Sequence, residues 1–250
     1  MKRTLGIVGF GRFGRFAALH LRDHFELSVF DNGPGMAEAR EAGFRTGSIE
    51  DVAASSIVLL CVPISRLRDA LRELAPHVRE GTLVADACSV KERPVSEMKA
   101  LLPSHVEILG THPLFGPRTA AQGLQGKKIV LCPVRIRHLA SVKGFLKGLG
   151  LTVLISSPEA HDRAMASTQA VVHFLGRAFH SAGLGPQEMA TPGYETLINL
   201  LGVVQTDTAE LSRDLQAFNR FAGPVRERLI EAMAEVHESL KKSEKKESES

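Results

Sequence analysis

Near its amino terminus the chain reads Leu5-Gly6-Ile7-Val8-Gly9-Phe10-Gly11-Arg12-Phe13-Gly14, an apolar run that leads into the pattern G-x-G-x-x-G. Each glycine of this pattern suits a turn between a strand and a helix that holds a dinucleotide. Gly9 allows a tight turn, Gly11 lets the backbone approach a pyrophosphate, and Gly14 lets the helix pack closely on the sheet. Amides at the start of the helix then face the phosphates. The stretch predicts a dinucleotide-binding βαβ unit, with residues 9–14 as cofactor contacts.

An acidic residue follows at the spacing that a ribose contact requires. Asp31 ends the next apolar run, 22 positions after the first glycine of the pattern (31 − 9). A carboxylate there can accept hydrogen bonds from both ribose hydroxyls and would repel a 2′-phosphate, so the sequence predicts NAD in preference to NADP. Asn32 and Arg40 leave some tolerance of NADP open. Val62 and Pro63, after a later apolar run, are further candidate cofactor contacts.

The composition is that of a globular protein without a strongly charged stripe. The formal charge of +3 is spread along the 250 residues, and one Tyr and no Trp offer little for nucleic-acid bases to stack on. No apolar run approaches the roughly 20 residues that cross a bilayer. The three cysteines lack the C-x-x-C spacing of zinc or redox sites. We therefore expect a cytoplasmic protein with reduced thiols, no nucleic-acid partner, no membrane span and no metal.

The first 156 residues alternate short apolar runs with amphipathic stretches. The runs predict strands at 5–8, 27–30, 57–62, 83–85, 106–109, 129–131 and 152–155, and the stretches predict helices at 12–22, 65–78, 91–101 and 138–149. Such alternation is typical of parallel strands covered on both faces. The sequence therefore predicts a Rossmann-type α/β doubly wound sheet over residues 1–156.

The strand pattern ends after Pro158, and residues 157–240 are helical in character. Apolar residues are dense at 164–175 and 197–204, more so than a small helical domain can cover by itself. We therefore predict an all-α dimerisation domain that also contributes to substrate binding, and a homodimer. Residues 241–250 contain only Lys, Ser and Glu, which predicts a disordered tail.

Polar segments follow two of the predicted strands, at the sheet edge where α/β proteins bind ligands. One segment spans residues 86–91, and the other reads Thr-His-Pro-Leu-Phe-Gly-Pro at 111–117. A histidine titrates near neutrality and can take a proton from an alcohol as hydride leaves the same carbon. Pro113 and Pro117 would hold the loop around such a group in one shape. His112 is therefore the candidate general base.

These segments resemble the prephenate/arogenate dehydrogenase family. The likeness rests on the glycine pattern, D-x-x-S-x-K at 86–91, H-P-[ML]-F-G-P at 112–117, and a helical His161-Asp162 with Gln169 and His173, in order over roughly residues 4–220. It implies oxidation of a cyclohexadienyl alcohol by NAD, followed by loss of the ring carboxylate as CO2. It also implies a nucleotide domain followed by a helical dimerisation domain, as the composition independently suggests.

The resemblance assigns roles to single residues of the nucleotide domain. His112 would accept the proton of the ring hydroxyl, and Ser89 would hydrogen-bond that hydroxyl or orient His112. Lys91 would either anchor its loop or act on a nearby charge of the substrate.

The helical candidates are His161, Gln169 and His173. They recur at intervals of eight and four (169 − 161, 173 − 169), which places them near one face of a helix, where they could bind substrate. Two structural alternatives stay open: His161 could cap a helix beside Asp162, and His173 could be a hydrogen-bonded core residue.

The sequence also departs from the family where a substrate carboxylate is bound. Family members carry an arginine in the segment that here reads Tyr-Glu-Thr-Leu-Ile-Asn-Leu-Leu-Gly-Val at 194–203. Arg118, directly after the H-P-L-F-G-P loop, is the predicted replacement, with Arg213 as the alternate. Gln125 is neutral where an acidic residue accompanies arogenate, whose side chain carries an ammonium group. Prephenate is therefore favoured over arogenate as the substrate.

Two other functions stay open at this stage. A 3-hydroxy acid dehydrogenase or an imine reductase would share the two-domain build, but these enzymes usually use a helical-domain lysine or lack the H-P-x-F-G-P loop. A non-catalytic NAD-binding sensor would explain the missing arginine, although the presence of His112 and Ser89 argues against it. Any inhibition by tyrosine would have to act by competition with the substrate.

Overall fold

Residues 2–205 and 207–248 are described by the computed structural model. The chain divides into two compact units, unit 1 (Met1–His161) and unit 2 (Asp162–Ser250). The predicted domain boundary after residue 156 lies five residues before the boundary between these units (161 − 156). Within the described residues, no helix combines the length and the apolar character that a bilayer span requires.

Unit 1 is built on an eight-stranded sheet, counted over its described residues, in the order β3-β2-β1-β4-β5-β6-β7-β8. The strands are β1 (Thr4–Val8), β2 (Glu26–Phe30), β3 (Arg45–Thr46), β4 (Ile57–Leu60), β5 (Leu83–Asp86), β6 (Glu107–Pro113), β7 (Lys128–Arg135) and β8 (Thr152–Ile155). The helices along this part of the chain are α1 (Arg12–Leu21), α2 (Gly35–Glu41), α3 (Ile49–Ala53), α4 (Ile64–Leu74), α5 (Glu92–Leu101), α6 (Leu139–Gly148) and α7 (Pro158–Ser167).

The predicted Rossmann-type sheet is confirmed, with one correction to its direction. Strands β1 to β6 pair in parallel, whereas β7 runs antiparallel to β6 and β8 runs parallel to β7. A parallel return needs a crossover, usually a helix, and the connection at 114–127 contains none. The central strands are mainly apolar because both of their faces are covered, and Ile7, Val58 and Val84 are fully buried.

Several element boundaries differ from the sequence expectations. Strand β4 ends at Leu60 because Cys61 to Pro63 turn the chain into α4. Strand β6 extends to Pro113, so His112 lies in a strand and not in a loop. The short elements β3, α2 and α3 were not predicted, since each is too brief to show a hydrophobic period.

Unit 2 contains α8 (Gln169–Ser181), α9 (Pro192–Gln205), α10 (Ala209–Phe218) and α11 (Ala222–Ser248). Helix α8 packs against each of the other three. Gly176 of α8 lies so close to α9 that a β-carbon at this position would be 3.0 Å from Cβ of Val204. The disordered tail predicted for 241–250 is wrong for 241–248, which continue α11; Lys and Glu favour helices, and Lys241 pairs with Glu238 at 3.0 Å. Residues 249 and 250 lie outside the described residues.

Candidate active site

The glycine turn between β1 and α1 forms a cradle for a diphosphate. Gly9 has a positive φ of 95°. A β-carbon on Gly14 would clash with the carbonyl oxygen of Gly9, so the helix packs directly on the turn. A β-carbon on Gly11 would meet no protein atom within 4 Å, and no side chain caps α1 at this residue. The turn therefore leaves space for phosphate oxygens, and no side chain competes for the amides at the start of α1, as the sequence predicts.

Asp31 has a structural role in this turn that the sequence did not reveal. Its Oδ2 accepts a hydrogen bond from the backbone amide of Phe10 at 2.7 Å, and its Oδ1 accepts one from the amide of Gly33 at 2.8 Å. The carboxylate thus ties the end of β2 to the glycine pattern. Because a carboxylate offers about four acceptor sites, capacity for ribose hydroxyls is left. Turn and carboxylate together fit a dinucleotide.

The other predicted cofactor contacts surround the same turn. Arg12 is exposed and Phe13 is half-buried on α1. Val62 is half-buried, and its Cγ1 would lie 3.0 Å from a β-carbon on Gly9. Pro63 is exposed and precedes α4. Their contacts with a cofactor stay predictions.

A buried ion pair braces the ends of β5 and β6. Asp86 and Lys91 are both fully buried, and the Lys91 ammonium contacts Oδ2 of Asp86 and the carbonyl oxygen of Thr111. The backbone amide of Thr111 donates to Oδ1 of Asp86 at 3.2 Å, and that of Cys88 donates to Oδ2 at 3.0 Å. Lys91 therefore anchors its loop and fixes the residue before His112. The alternative prediction, in which Lys91 acts on a charge of the substrate, does not fit the structure, because the Lys91 ammonium has no exposed surface.

His112 is joined to a second histidine. It lies on β6 opposite Val130 of β7, with 2% of its surface exposed. Its Nδ1 is 2.8 Å from Nε2 of His161, and the two rings are inclined by 71°. The pKa of His112 is held well below its usual range, mainly by burial and then by the charges of His161 and Lys91. His112 is therefore neutral at pH 7, as a general base must be.

Ser89 lies half-buried in the loop that Lys91 anchors. Nδ1 of His112 is occupied by its contact with His161, and an orienting contact from Ser89 to the His112 ring stays a prediction. A hydrogen bond from Ser89 to a substrate hydroxyl stays a prediction.

The loop at 114–127 carries Arg118, the predicted partner of a substrate carboxylate, and Gln125, predicted to distinguish the side chains of prephenate and arogenate. Arg118 is exposed in a turn in which the amide of Ala120 donates to the carbonyl of Gly116. Gln125 is also exposed, and its side chain lies against Gly150, just before β8. Since β8 is two strands away from β6, the structure does not bring Gln125 together with His112.

The prediction that His161, Gln169 and His173 share a helix face is wrong. The helix breaks at Thr168, which has φ −122° and ψ −84°, so His161 belongs to α7 and the other two to α8. The hydroxyl of Thr168 donates to the carbonyl of Ala164 at 2.8 Å, a local bond that competes with a continuous helix. Spacing alone could not reveal this interruption.

The two candidates on α8 have polar atoms without protein partners. His173 is buried, with Nε2 3.5 Å from Oδ2 of Asp207, but its Nδ1 finds no hydrogen bond among the described residues. Oε1 of Gln169 is likewise buried and unpaired within the described chain. His173 is thus not the fully satisfied core residue of the structural alternative. Unpaired buried polar atoms call for a water or a ligand. Arg213, the alternate carboxylate partner, is exposed on α10.

Comparisons with known proteins give this arrangement a family. A family model described as "Prephenate dehydrogenase, nucleotide-binding domain" matches residues 18–155. Arogenate dehydrogenase 2, chloroplastic, of Arabidopsis thaliana is 32% identical over 94% of this chain and 69% of its own length. The chain belongs to the prephenate/arogenate dehydrogenase family. A second family model, "TYRAAT1-like, C-terminal domain", matches residues 178–250.

Further members of the prephenate/arogenate dehydrogenase family extend the likeness. A probable arogenate/prephenate dehydrogenase of Methanocaldococcus jannaschii is 30% identical over 97% of this chain, which spans only 58% of that relative's length. The crystal structure of prephenate dehydrogenase from A. aeolicus, in complex with hydroxyphenyl propionate and NAD+, has a TM-score of 0.78 and 21% identity. The matched region covers 99% of this chain and 93% of the A. aeolicus chain. This structural likeness concerns the fold.

Among the described residues, no three His, Cys, Asp or Glu side chains lie close enough together to hold a metal ion. The three cysteines are free. The sequence did not indicate that His112 and His161 meet, because they lie 49 positions apart and nothing in between signals the contact.

Proposed function

We propose that this dehydrogenase oxidises and decarboxylates prephenate with NAD, giving 4-hydroxyphenylpyruvate for tyrosine biosynthesis. The observation that carries the proposal is the buried, neutral His112 at the carboxyl end of β6, whose Nδ1 is engaged by His161. Its Nε2 is therefore the ring nitrogen left to accept the hydroxyl proton. The carboxyl edge of this sheet is also where a dinucleotide binds in such folds.

The residues of the chain divide the chemistry between them. The glycine turn and Asp31 would hold NAD, which supplies the hydride acceptor when it is bound. His112 removes the hydroxyl proton, and Ser89 donates a hydrogen bond to the same hydroxyl. The ion pair of Lys91 and Asp86 holds the strand end that carries His112. Loss of the ring carboxylate then follows readily because it makes the ring aromatic.

Substrate carboxylates and the side chain need further contacts. We assign one carboxylate to Arg118 and keep Arg213 as the alternate, since guanidinium binds carboxylate in a bidentate way. Gln169 and His173, with their unpaired polar atoms, are proposed substrate contacts as well.

Arogenate is the second candidate substrate. The name of the Arabidopsis relative favours it. The neutral side chain of Gln125 favours prephenate, but Gln125 packs against Gly150 and so has little influence near His112. The choice between the two therefore depends on measurement.

A second copy of the chain is the proposed partner. Helix α11 carries four large apolar residues that are each 50–61% exposed: Ile230, Met233, Val236 and Leu240. Exposed large apolar side chains that recur every three to four residues are typical of a helix that packs on another helix. We propose a homodimer through the helical unit, in the cytoplasm, where free thiols persist. Sedimentation at micromolar concentration tests this, and a stable monomer would contradict it.

The enzymatic proposal is tested by following NADH formation with prephenate and with arogenate, each with NAD and with NADP. Turnover of prephenate with NAD is the expected result. Turnover of arogenate alone would keep the mechanism and reject the substrate assignment. Binding of NAD with no turnover of either compound would contradict the enzymatic proposal and favour a sensor.

A further inference from the structure

The imidazole rings of His112 and His161 share a single proton position. Nδ1 of His112 and Nε2 of His161 are 2.8 Å apart, and each residue has 2% of its surface exposed. At this distance one nitrogen must donate an N–H and the other must offer a lone pair. The pair therefore exists in one of two arrangements when both rings are neutral.

Only one of the two arrangements leaves a base at His112. If Nδ1 of His112 donates to His161, Nε2 of His112 keeps its lone pair and can accept a proton. If His161 donates instead, the proton of neutral His112 sits on Nε2, and the ring cannot act as a base. The partner of Nδ1 thus decides whether His112 is competent.

We propose that His161 is a positioning residue that holds His112 in the base-competent tautomer and takes up its Nδ1 proton during the reaction. This inference rests on the proposed function. It replaces the role of substrate contact that the sequence assigned to His161, because Nε2 of His161 is already engaged.

The proton balance of the oxidation follows from this geometry. The O–H bond of the substrate breaks, and its proton goes to Nε2 of His112. The proton on Nδ1 of His112 moves to Nε2 of His161. The former O–H electron pair forms the carbonyl bond, and NAD, when bound, would supply the acceptor for the hydride that leaves the same carbon. The positive charge then resides on His161.

The decarboxylation returns the proton. When the C–C bond to the carboxylate breaks, its electron pair enters the ring and leaves a negative charge on the ring oxygen. That oxygen takes the proton from Nε2 of His112, while His161 gives its Nε2 proton back to Nδ1. No proton needs to enter or leave the site between the two steps, which suits a buried pair.

The charges around His112 favour such a transfer. The ammonium of Lys91 donates to the carbonyl of Thr111, the residue before His112. A nearby positive charge disfavours an imidazolium on His112. Transfer of the proton to His161 removes this positive charge from the ring of His112.

Kinetics of two variants test the proton uptake. His161→Gln offers an amide oxygen that can accept the N–H of Nδ1 but cannot carry the proton, and His161→Phe offers neither function. We expect kcat to fall by about tenfold or more in His161→Gln with KM unchanged, and to fall further in His161→Phe. His138→Gln, at an exposed histidine before α6, is the matched control and should keep both constants. An unchanged kcat in a folded His161→Gln, or a raised KM alone, would overturn the proposal.

A spectroscopic test does not depend on turnover. Nitrogen-15 shifts of the imidazoles in the wild-type protein should show Nδ1 of His112 protonated and Nε2 of His112 unprotonated. The His161→Phe variant should lose this preference. A wild-type His112 with its proton on Nε2 would overturn the inference. If neither prephenate nor arogenate is turned over, the proposed function fails, and the spectrum still decides whether His161 fixes the tautomer.

Discussion

The ammonium group of Lys91 and the carboxylate of Asp86 form an ion pair from which solvent is fully excluded. Five sequence positions separate them (91 − 86), yet the pair reaches across to β6 through Thr111. Removal of one partner leaves the other as a buried, uncompensated charge. The position of His112 and the stability of the sheet edge therefore depend on the same contact.

Replacement of Lys91 is expected to destabilise the fold strongly. Lys91→Met should lower the free energy of unfolding by about 3–5 kcal/mol, measured by urea denaturation, because Asp86 is left unpaired. The control is Lys241→Met, which removes an exposed pair with Glu238 and should cost less than about 1 kcal/mol. If both substitutions lowered the free energy of unfolding by the same amount, burial of the Lys91 pair would not explain the effect.

The glycine turn allows cofactor binding and folding to be separated. Gly11→Ala places a methyl group where no protein atom lies within 4 Å, so the fold should lose no more than about 1 kcal/mol. NAD affinity should nevertheless fall by tenfold or more in calorimetry, because the methyl group occupies the space for the pyrophosphate. Gly14→Ala should instead destabilise the fold by about 1–3 kcal/mol, since its methyl group meets the Gly9 carbonyl. Full NAD affinity in Gly11→Ala would contradict this location of the diphosphate.

The lowered pKa values of two buried histidines predict a loss of stability in acid. Burial lowers the pKa of His112 most and also that of His173, where Asp207 opposes the shift and Arg177 adds to it. Below the ordinary histidine pKa of 6.5 the unfolded chain takes up protons that the folded chain does not. The free energy of unfolding therefore decreases as the pH falls below this value, by at most about 1.4 kcal/mol per pH unit for each group, until the folded group is protonated as well.

Single substitutions check the sign of this effect. Denaturation of wild type, His112→Gln and His173→Gln between pH 7 and pH 5 (about the range in which histidine titrates) should show a shallower dependence in each variant. His138→Gln, at an exposed position, should match the wild type. A steeper dependence in His112→Gln would mean that burial does not keep this ring neutral.

The thiols are expected to be unreactive in the folded protein. Burial, and after it the Asp86 carboxylate, raises the pKa of the Cys61 thiol to about 12, and burial raises that of Cys88 well above its usual value. The thiolate is the reactive form, so Ellman's reagent at mildly alkaline pH should label neither group until the chain is unfolded. Cys61 is the sharper test because its residue is only half-buried. Rapid labelling of Cys61 in the native protein would contradict the raised pKa.

Local sequence signals predicted the strands and the cofactor turn, and they did so for a physical reason. A buried parallel strand must be largely apolar, and a β-carbon at Gly14 would clash with Gly9. Both features therefore depend on residues that are close together in the sequence. The direction of β7 was not predictable in this way. It depends on whether the connection at 114–127 crosses the sheet, which no hydrophobic period reports.

Contacts between distant segments account for most of the rest. Nothing around His161 indicates that its ring meets His112, and the break at Thr168 lies inside a continuous helical pattern. Asp31 was predicted from its spacing, but its bonds to Phe10 and Gly33 depend on how β2 meets the turn. The bonds of a side chain need the three-dimensional arrangement, whereas its residue type and place in a motif do not.

Turnover by the His112→Gln variant shows whether His112 is the general base of the reaction. Purified wild-type and variant proteins should bind NAD with equal affinity, and prephenate oxidation should be followed through NADH formation. We expect kcat to fall by about a hundredfold or more in the variant, because the proposed general base at the end of β6 is lost while the glycine turn is unchanged. A folded His112→Gln that keeps wild-type turnover would contradict this assignment.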